Sequence, residues 1–265
     1  MCELLAMSAN VPTDIVFSFT GLVERGGVTG PHTDGWGITF YEGKGCRTFK
    51  DPQASCQSEV ANLIKRYPIK SCSVISHIRQ ANRGAVNLEN THPFCRQLWG
   101  RNWTFAHNGQ LSGYKQKLKV SQDLPIGNTD SELAFCWLLE RIKEKYPKRP
   151  NNIKTLFRYI AKCADELRQL GVFNMILSDG DYVMCYCTNN LSWITRQAPF
   201  GVAKLIDTDM VVDFSEETTP NDVVSVIATR PLTSDETWNK MQAGDWQLFR
   251  LGVPVDGRLL GNKVS

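Results

Sequence analysis

Residues 1–10 read MCELLAMSAN: a cysteine stands directly behind the initiator methionine and leads into CELLAM, a short apolar run of strand type. Removal of Met1 is expected when the second residue is as small as cysteine, and it leaves Cys2 carrying a thiol and a free α-amine together. Position alone does not make that pairing catalytic. Nine cysteines are spread over 265 residues, and the usual fate of a free cysteine is to be a small buried hydrophobe. Residues elsewhere in the chain have to decide between the two readings.

Outward from this strand, further short apolar runs are bounded by turn residues: GITFYE, SCSVISHI, WTFAHN, FNMILSDG, YVMCYC, LSWITR and DVVSVIAT. SDGDY has the composition of a hairpin turn, and Cys185 and Cys187, two apart, would share one strand face in the core. Three segments have helical spacing. Gln57–Tyr67 places Val60, Leu63 and Ile64 on one face; residues 128–146 open with a Thr129/Glu132 capping box ahead of Leu133, Cys136, Trp137, Leu139 and Ile142 and stop at Pro147; residues 151–171 carry the stripe Ile153, Leu156, Phe157, Ile160, Ala164, Leu167 and close at Gly171. Strands at both ends with the two longest helices adjacent in the middle predict a mostly antiparallel α+β fold, with helices packed outside two face-to-face sheets. With no repeat, low-complexity tract or linker, residues 2–265 are expected to form one domain.

A hydrophobic content of 42% is ample for a core, and a formal charge of +3 without long basic runs argues against a nucleic-acid footprint. No window approaches the ~18 apolar residues of a membrane span, and the N-terminus shows no cationic stretch followed by an apolar core. A soluble cytoplasmic protein acting on a small molecule is expected. The odd cysteine count without a C-x-x-C pair, and histidines at 32, 77, 92 and 107 with no i, i+4 spacing, predict neither a disulfide framework nor a metal centre, and no cofactor is expected.

Five glycines in GGVTGPHTDGWG (26–37) lack both the P-loop ending and the dinucleotide spacing, so the segment reads as a tight loop feeding the strand at Trp36. SHIRQANRG (76–84), ENTHPF (89–94), FAHNGQL (105–111) and GNTDSE (127–132) place polar residues straight after a strand or at a helix start, where site residues collect. Singly each has a plain explanation: Arg79 as an ion pair, Asp130 as a first-turn residue favoured by the helix dipole, Asn108-Gly109 as a hairpin turn.

Together and in this order, an N-terminal Cys, an Arg on an H-x-R strand end, H-N-G and T-D-S-E resemble the class II glutamine amidotransferase domain of the N-terminal nucleophile hydrolase superfamily. The ending, IATRPLTSDETW followed by MQAGDW, is similar to that of stand-alone members, so the resemblance covers nearly the whole chain. It implies a four-layer αββα sandwich and release of ammonia from a glutamine side chain. By resemblance Cys2 is the nucleophile with its own α-amine as base, and Asn108 and the Gly109 N–H form the oxyanion hole. Arg79 and Asn82 would hold the substrate carboxylate and Asp130 its ammonium, with His77, His92 and His107 as supporting residues. Gln80, Ala81 and Asn82 depart from the Trp-Ala-Thr common in fused members, and Arg83 adds a charge of no assigned role.

By resemblance the glutaminase fold takes up all 265 residues, so no fused synthase domain is expected. Three readings stay open: an uncoupled hydrolase of glutamine or γ-glutamyl amides and peptides, as in thiol metabolism; a glutaminase subunit handing ammonia to a separate synthase in trans; and a non-catalytic protein that keeps only the pocket.

Overall fold

The computed structural model describes residues 2–81, 84–216 and 219–261, with the side chain of residue 216 also outside the description. In chain order the elements are β1 (Glu3–Thr13), α1 (Val16–Glu24), β2 (Trp36–Glu42), β3 (Gly45–Asp51), α2 (Glu59–Arg66), β4 (Ser71–Ile78), β5 (Phe94–Leu98), β6 (Arg101–Leu111), α3 (Tyr114–Lys117), α4 (Asp130–Lys145), α5 (Ile153–Leu167), β7 (Gly171–Ser178), β8 (Val183–Tyr186), β9 (Ser192–Gln197), β10 (Val202–Lys204), β11 (Val211–Asp213), β12 (Val223–Ala228), β13 (Asn239–Lys240), β14 (Trp246–Arg250) and β15 (Val253–Arg258). One sheet runs β13-β9-β12-β1-β4-β2-β3 and a second β15-β14-β8-β7-β6-β5, with β10-β11 as a separate ribbon. The described pairings are antiparallel, as β1 with β4 and β12, and β6 with β5 and β7.

Three apolar layers separate the elements. Leu5, Met7 and Ala9 of β1 point outward onto α1 and α2 with Phe19, Leu22 and Ile64, while Leu4 and Ala6 point inward to meet Ala106 and Ile176 of the second sheet. Outside that sheet, Phe105, Phe173 and Met175 pack on Phe135, Leu139, Phe157 and Ile160 of α4 and α5. Both faces of each central strand are thus covered. That is why LLAM in β1 is apolar at successive positions rather than alternating, and why Ser71, Ser73, Ser76 and His77 of β4 are buried along with its apolar residues. Cys185 and Cys187 lie in the inter-sheet layer, as their spacing predicts.

The eight predicted strands and three predicted helices are present, with differences in detail. Helix α1 escapes a periodicity reading because VFSFTGLVE is apolar on nearly all sides, buries six of its nine residues and has no side-chain cap. On α2, Ala61 and Ile64 make the buried face, and Leu63 is exposed. Only half of the α4 capping box forms: Thr129 Oγ1 accepts from the Glu132 N–H at 3.2 Å, but the Glu132 carboxylate takes the Ile126 and Gly127 N–H groups and pairs with Arg96. The largest difference is at Asn108-Gly109, which lies inside β6 and not in a turn. Glycine is needed there for close approach: a Cβ at position 109 would sit 1.9 Å from the Val172 carbonyl oxygen on β7.

Candidate active site

Antiparallel register sets Leu4 opposite His77 and Glu3 opposite Ile78, so Cys2, one residue before β1, arrives at the end of β4 where Arg79 and Gln80 leave the sheet. The Gln80 N–H donates to Cys2 Sγ at 3.3 Å, and Sγ lies 3.5 Å from the Gln80 carbonyl oxygen. Burial pushes the Cys2 thiol up; the Gln80 N–H and the charge of Arg79 pull it down, and Asp130 opposes them. Burial prevails, so the sulfur rests as a thiol and needs an adjacent base to become nucleophilic.

Arg79 is 3% exposed, and its Nη1 donates to the Ala85 carbonyl at 2.8 Å. Burial lowers its pKa, while Cys2, Asp34 and Asp130 counter that. Asp34 also fixes the backbone on either side, accepting the Ala81 N–H at 2.7 Å while its own N–H donates to the Arg79 carbonyl at 3.1 Å. Asp130 opens α4, and its Oδ2 accepts the Leu111 N–H at 2.7 Å, tying the helix to the end of β6. The loops carrying Arg79 and Asp130 are stapled together by Asn90, whose Nδ2 donates to Asn128 Oδ1 at 3.1 Å and whose Oδ1 accepts the Asn128 N–H at 3.0 Å.

On β6, Ala106 faces the other sheet and Phe105 faces the helices. Alternation therefore turns Asn108 inward, to the side on which Leu4 stands, and His107 outward. Asn108 is fully buried. Its carbonyl accepts from Asn174 Nδ2 at 2.9 Å, and Asn174 Oδ1 in turn accepts the Thr188 and Asn189 N–H groups at 2.9 and 3.1 Å. The structure thus brings Cys2, Arg79 and Asp130 within electrostatic reach of one another, with Asn108 on the facing strand; Asn82 and Arg83 lie outside the described residues.

The histidines stand behind this group. His77 and His92 stack with ring centroids 4.2 Å apart, and burial, reinforced by the neighbouring positive groups, pushes His77 down to about 3 and His92 well below the ordinary histidine range. Both are neutral near pH 7. His107 places Nε2 3.1 Å from the Val172 carbonyl, which can only accept, so Nε2 carries the proton and Nδ1 accepts from the Ser131 hydroxyl at 2.8 Å. Among the described residues there is no group of three or more His, Cys, Asp or Glu that could hold a metal.

Sequence reasoning misses the network that follows the cysteine. The Glu3 carboxylate is buried and accepts from Arg25 Nη1 at 3.0 Å and Arg230 Nε at 3.0 Å; Arg25 also reaches Asp207 at 2.8 Å and the Pro231 carbonyl at 2.7 Å. Glu3 is therefore tied to α1 and to the segment after β12. Its sequence signal is a charged residue inside an apolar run, which is costly unless paired.

A model of the family described as class II glutamine amidotransferases matches residues 1–260. Over 255 residues the chain is 70% identical to YafJ of Escherichia coli K12, assigned by name as a glutamine amidotransferase, covering 96% of this chain and 100% of that one. A Haemophilus influenzae protein with the same assignment is 46% identical over 275 residues, covering 100% of this chain and 93% of that one. The crystal structure of a Pseudomonas aeruginosa protein, also assigned as a glutamine amidotransferase, superposes with a TM-score of 0.76 at 52% identity, covering 96% and 100% of the two chains. At 15% identity, where likeness speaks for fold alone, glutamine phosphoribosylpyrophosphate amidotransferase of B. subtilis gives 0.63, covering 98% of this chain and 50% of that one. The two helix-flanked antiparallel sheets are the αββα sandwich of the N-terminal nucleophile hydrolases, and the chain belongs to the class II glutamine amidotransferases.

Proposed function

We propose that this protein hydrolyses the side-chain amide of glutamine or of a γ-glutamyl amide, using Cys2 as nucleophile after loss of Met1. The observation that carries the reading is the thiol of Cys2 held against the Gln80 backbone with Arg79 and Asp130, opposite in charge, acting on it together. A free α-amino acid end brings a carboxylate for Arg79 and an ammonium for Asp130; Asn82 adds amide hydrogen bonds to the carboxylate. Two charges at fixed separation orient the scissile amide over the sulfur.

The free α-amine of Cys2, with an ordinary pKa of roughly 7.7–8.0, takes the thiol proton as sulfur attacks the amide carbon. The oxyanion so formed is held by Asn108 Nδ2 and the Gly109 N–H. Collapse breaks the C–N bond, the α-ammonium returns the proton to the leaving nitrogen, and ammonia or an amine departs from a thioester. Water, deprotonated by the same amine, then attacks the thioester, releasing the carboxylate product and restoring the thiol. His77, His92 and His107 support the strands and take no proton in this scheme. Residues 2–265 act as one domain, in the cytoplasm, on a small molecule.

The test is a substrate panel: glutamine, a γ-glutamyl anilide and γ-glutamyl peptides, with ammonia or amine release followed on protein whose loss of Met1 is verified by mass. Turnover without any added protein is expected. Silence on the whole panel that is relieved by a synthase in trans would replace hydrolysis by ammonia delivery, and silence that nothing relieves would leave a binding protein.

A further inference from the structure

The two ends of the buried Asn108 amide are unequally served. Nδ2 lies 3.4 Å from Thr229 Oγ1, at the long edge of hydrogen-bond range, whereas Oδ1 is buried with no partner among the described residues. Thr229, just past β12, joins the other sheet: its Oγ1 accepts the Leu4 N–H at 2.9 Å, and its own N–H donates to the Leu4 carbonyl at 3.1 Å. A hydroxyl that accepts from Leu4 still has one proton to give. Among the described residues the Asn108 amide is the group placed to receive it.

An asparagine amide has nearly the same shape in its two orientations, so the inventory of donors and acceptors decides between them. With Nδ2 on Thr229, a hydroxyl proton and a buried oxygen both go unused. With the amide turned by 180°, Oδ1 accepts the Thr229 proton and Nδ2 is released, both of its N–H groups facing away from Thr229. Only the second arrangement leaves no buried acceptor unpaired.

We propose that Thr229 is a positioning residue: its hydroxyl holds Oδ1 of Asn108, so that Nδ2 is presented to the oxygen of a bound carbonyl. The same oxygen atom accepts from Leu4, two residues beyond Cys2, and so keeps the strand of the nucleophile and the oxyanion donor in one fixed relation. This rests on the reading of Asn108 as an oxyanion donor. Position 229 belongs to the strand-rich ending of the chain, far from Asn108 in sequence, and no local pattern points to it.

Neutron diffraction from deuterium-exchanged crystals of the wild-type protein reads the amide directly. The expected map has a deuteron on Thr229 Oγ1 pointing at Asn108 Oδ1 and two deuterons on Nδ2 pointing away; deuterons of Nδ2 directed at Thr229 would overturn the proposal. This result is independent of turnover, so a wild-type protein inert on every glutamine and γ-glutamyl substrate would sink the functional reading and leave the orientation decided. Kinetics supply the second arm. Thr229→Val, which keeps the shape but loses both the donated proton and the oxygen that accepts the Leu4 N–H, lowers kcat about tenfold or more, less than the ~10²–10³-fold of deleting a donor outright, while KM stays within about twofold because Arg79 and Asp130 are untouched. Thr229→Ser restores kcat to within about threefold. A Thr229→Val protein with wild-type kcat, or with a change in KM alone, contradicts the positioning role; if that variant does not fold, Thr229→Ser and the neutron map carry the decision.

Discussion

Gly109→Ala tests the packing of the two strands and the oxyanion site at once. The added Cβ would lie 1.9 Å from the Val172 carbonyl oxygen, 2.6 Å from the Val172 carbonyl carbon and 2.8 Å from His107 Nε2. Two of these atoms are backbone on β7, so no side-chain rotation relieves the contact, and β6 must move away by roughly 1 Å to reach the closest separations that cores tolerate. Overpacking of this kind costs about 1–3 kcal/mol or more. The same displacement carries the Gly109 N–H off its target, and misplacement of about 1 Å can cost roughly a hundredfold in rate. We expect kcat/KM for ammonia release to fall about a hundredfold or more and the unfolding midpoint to fall by several degrees, with far-ultraviolet circular dichroism unchanged. Gly201→Ala is the control, since a Cβ there meets nothing within 4 Å; it should match wild type in both assays. A Gly109→Ala protein indistinguishable from Gly201→Ala in turnover and midpoint would refute the reasoning.

Glu3→Ala strips the buried Arg25 of one partner but leaves it Asp207 and the Pro231 carbonyl, and Arg230 is 56% exposed, so a loss towards the low end of the ~3–5 kcal/mol for breaking a buried pair is expected in urea unfolding. His77 and His92 titrate lower in the folded protein than the ordinary 6.5, so the unfolded chain binds more protons as pH falls. Their contribution to stability is complete above about 6.5 and declines from there towards about 3 for His77, with a slope approaching roughly 1.4 kcal/mol per pH unit per histidine. Urea titrations at pH 7, 5 and 4 should show that decline, and His92→Phe should make it shallower. Asp130→Asn keeps an acceptor for the Leu111 N–H and removes the charge; KM for glutamine should rise at least about tenfold with a smaller change in kcat, read from initial rates.

Apolar runs bounded by turn residues located eight of the strands, and helical spacing located α2, α4 and α5, because each presents an apolar face to a covering layer; the T-x-x-E signal located the start of α4 even though Glu132 turns its carboxylate to Arg96 instead. Helix α1 is hidden because a segment that is apolar on nearly all sides carries no clear phase. Asn108-Gly109 has the local chemistry of a turn, and only the contact with Val172, more than sixty residues on, shows why glycine stands inside a strand. The site divides in the same way. Cys2, Arg79 and Asp130 sit at strand ends or a helix start, and Asn108 and Gly109 lie inside β6, each in a local motif with recognisable neighbours. Thr229, Asn90 and the partners of Glu3 act through contacts between distant segments, and their sequence contexts are ordinary.

The most direct test of the central claim is intact and peptide mass spectrometry after treatment with a diazoketone analogue of glutamine, with ammonia release followed in parallel. The account predicts one adduct, on an N-terminal peptide that begins at Cys2, appearing in step with loss of activity, and neither adduct nor turnover in Cys2→Ala or in protein that retains Met1. Undiminished turnover in Cys2→Ala, or an inactivating adduct on another residue, would contradict it.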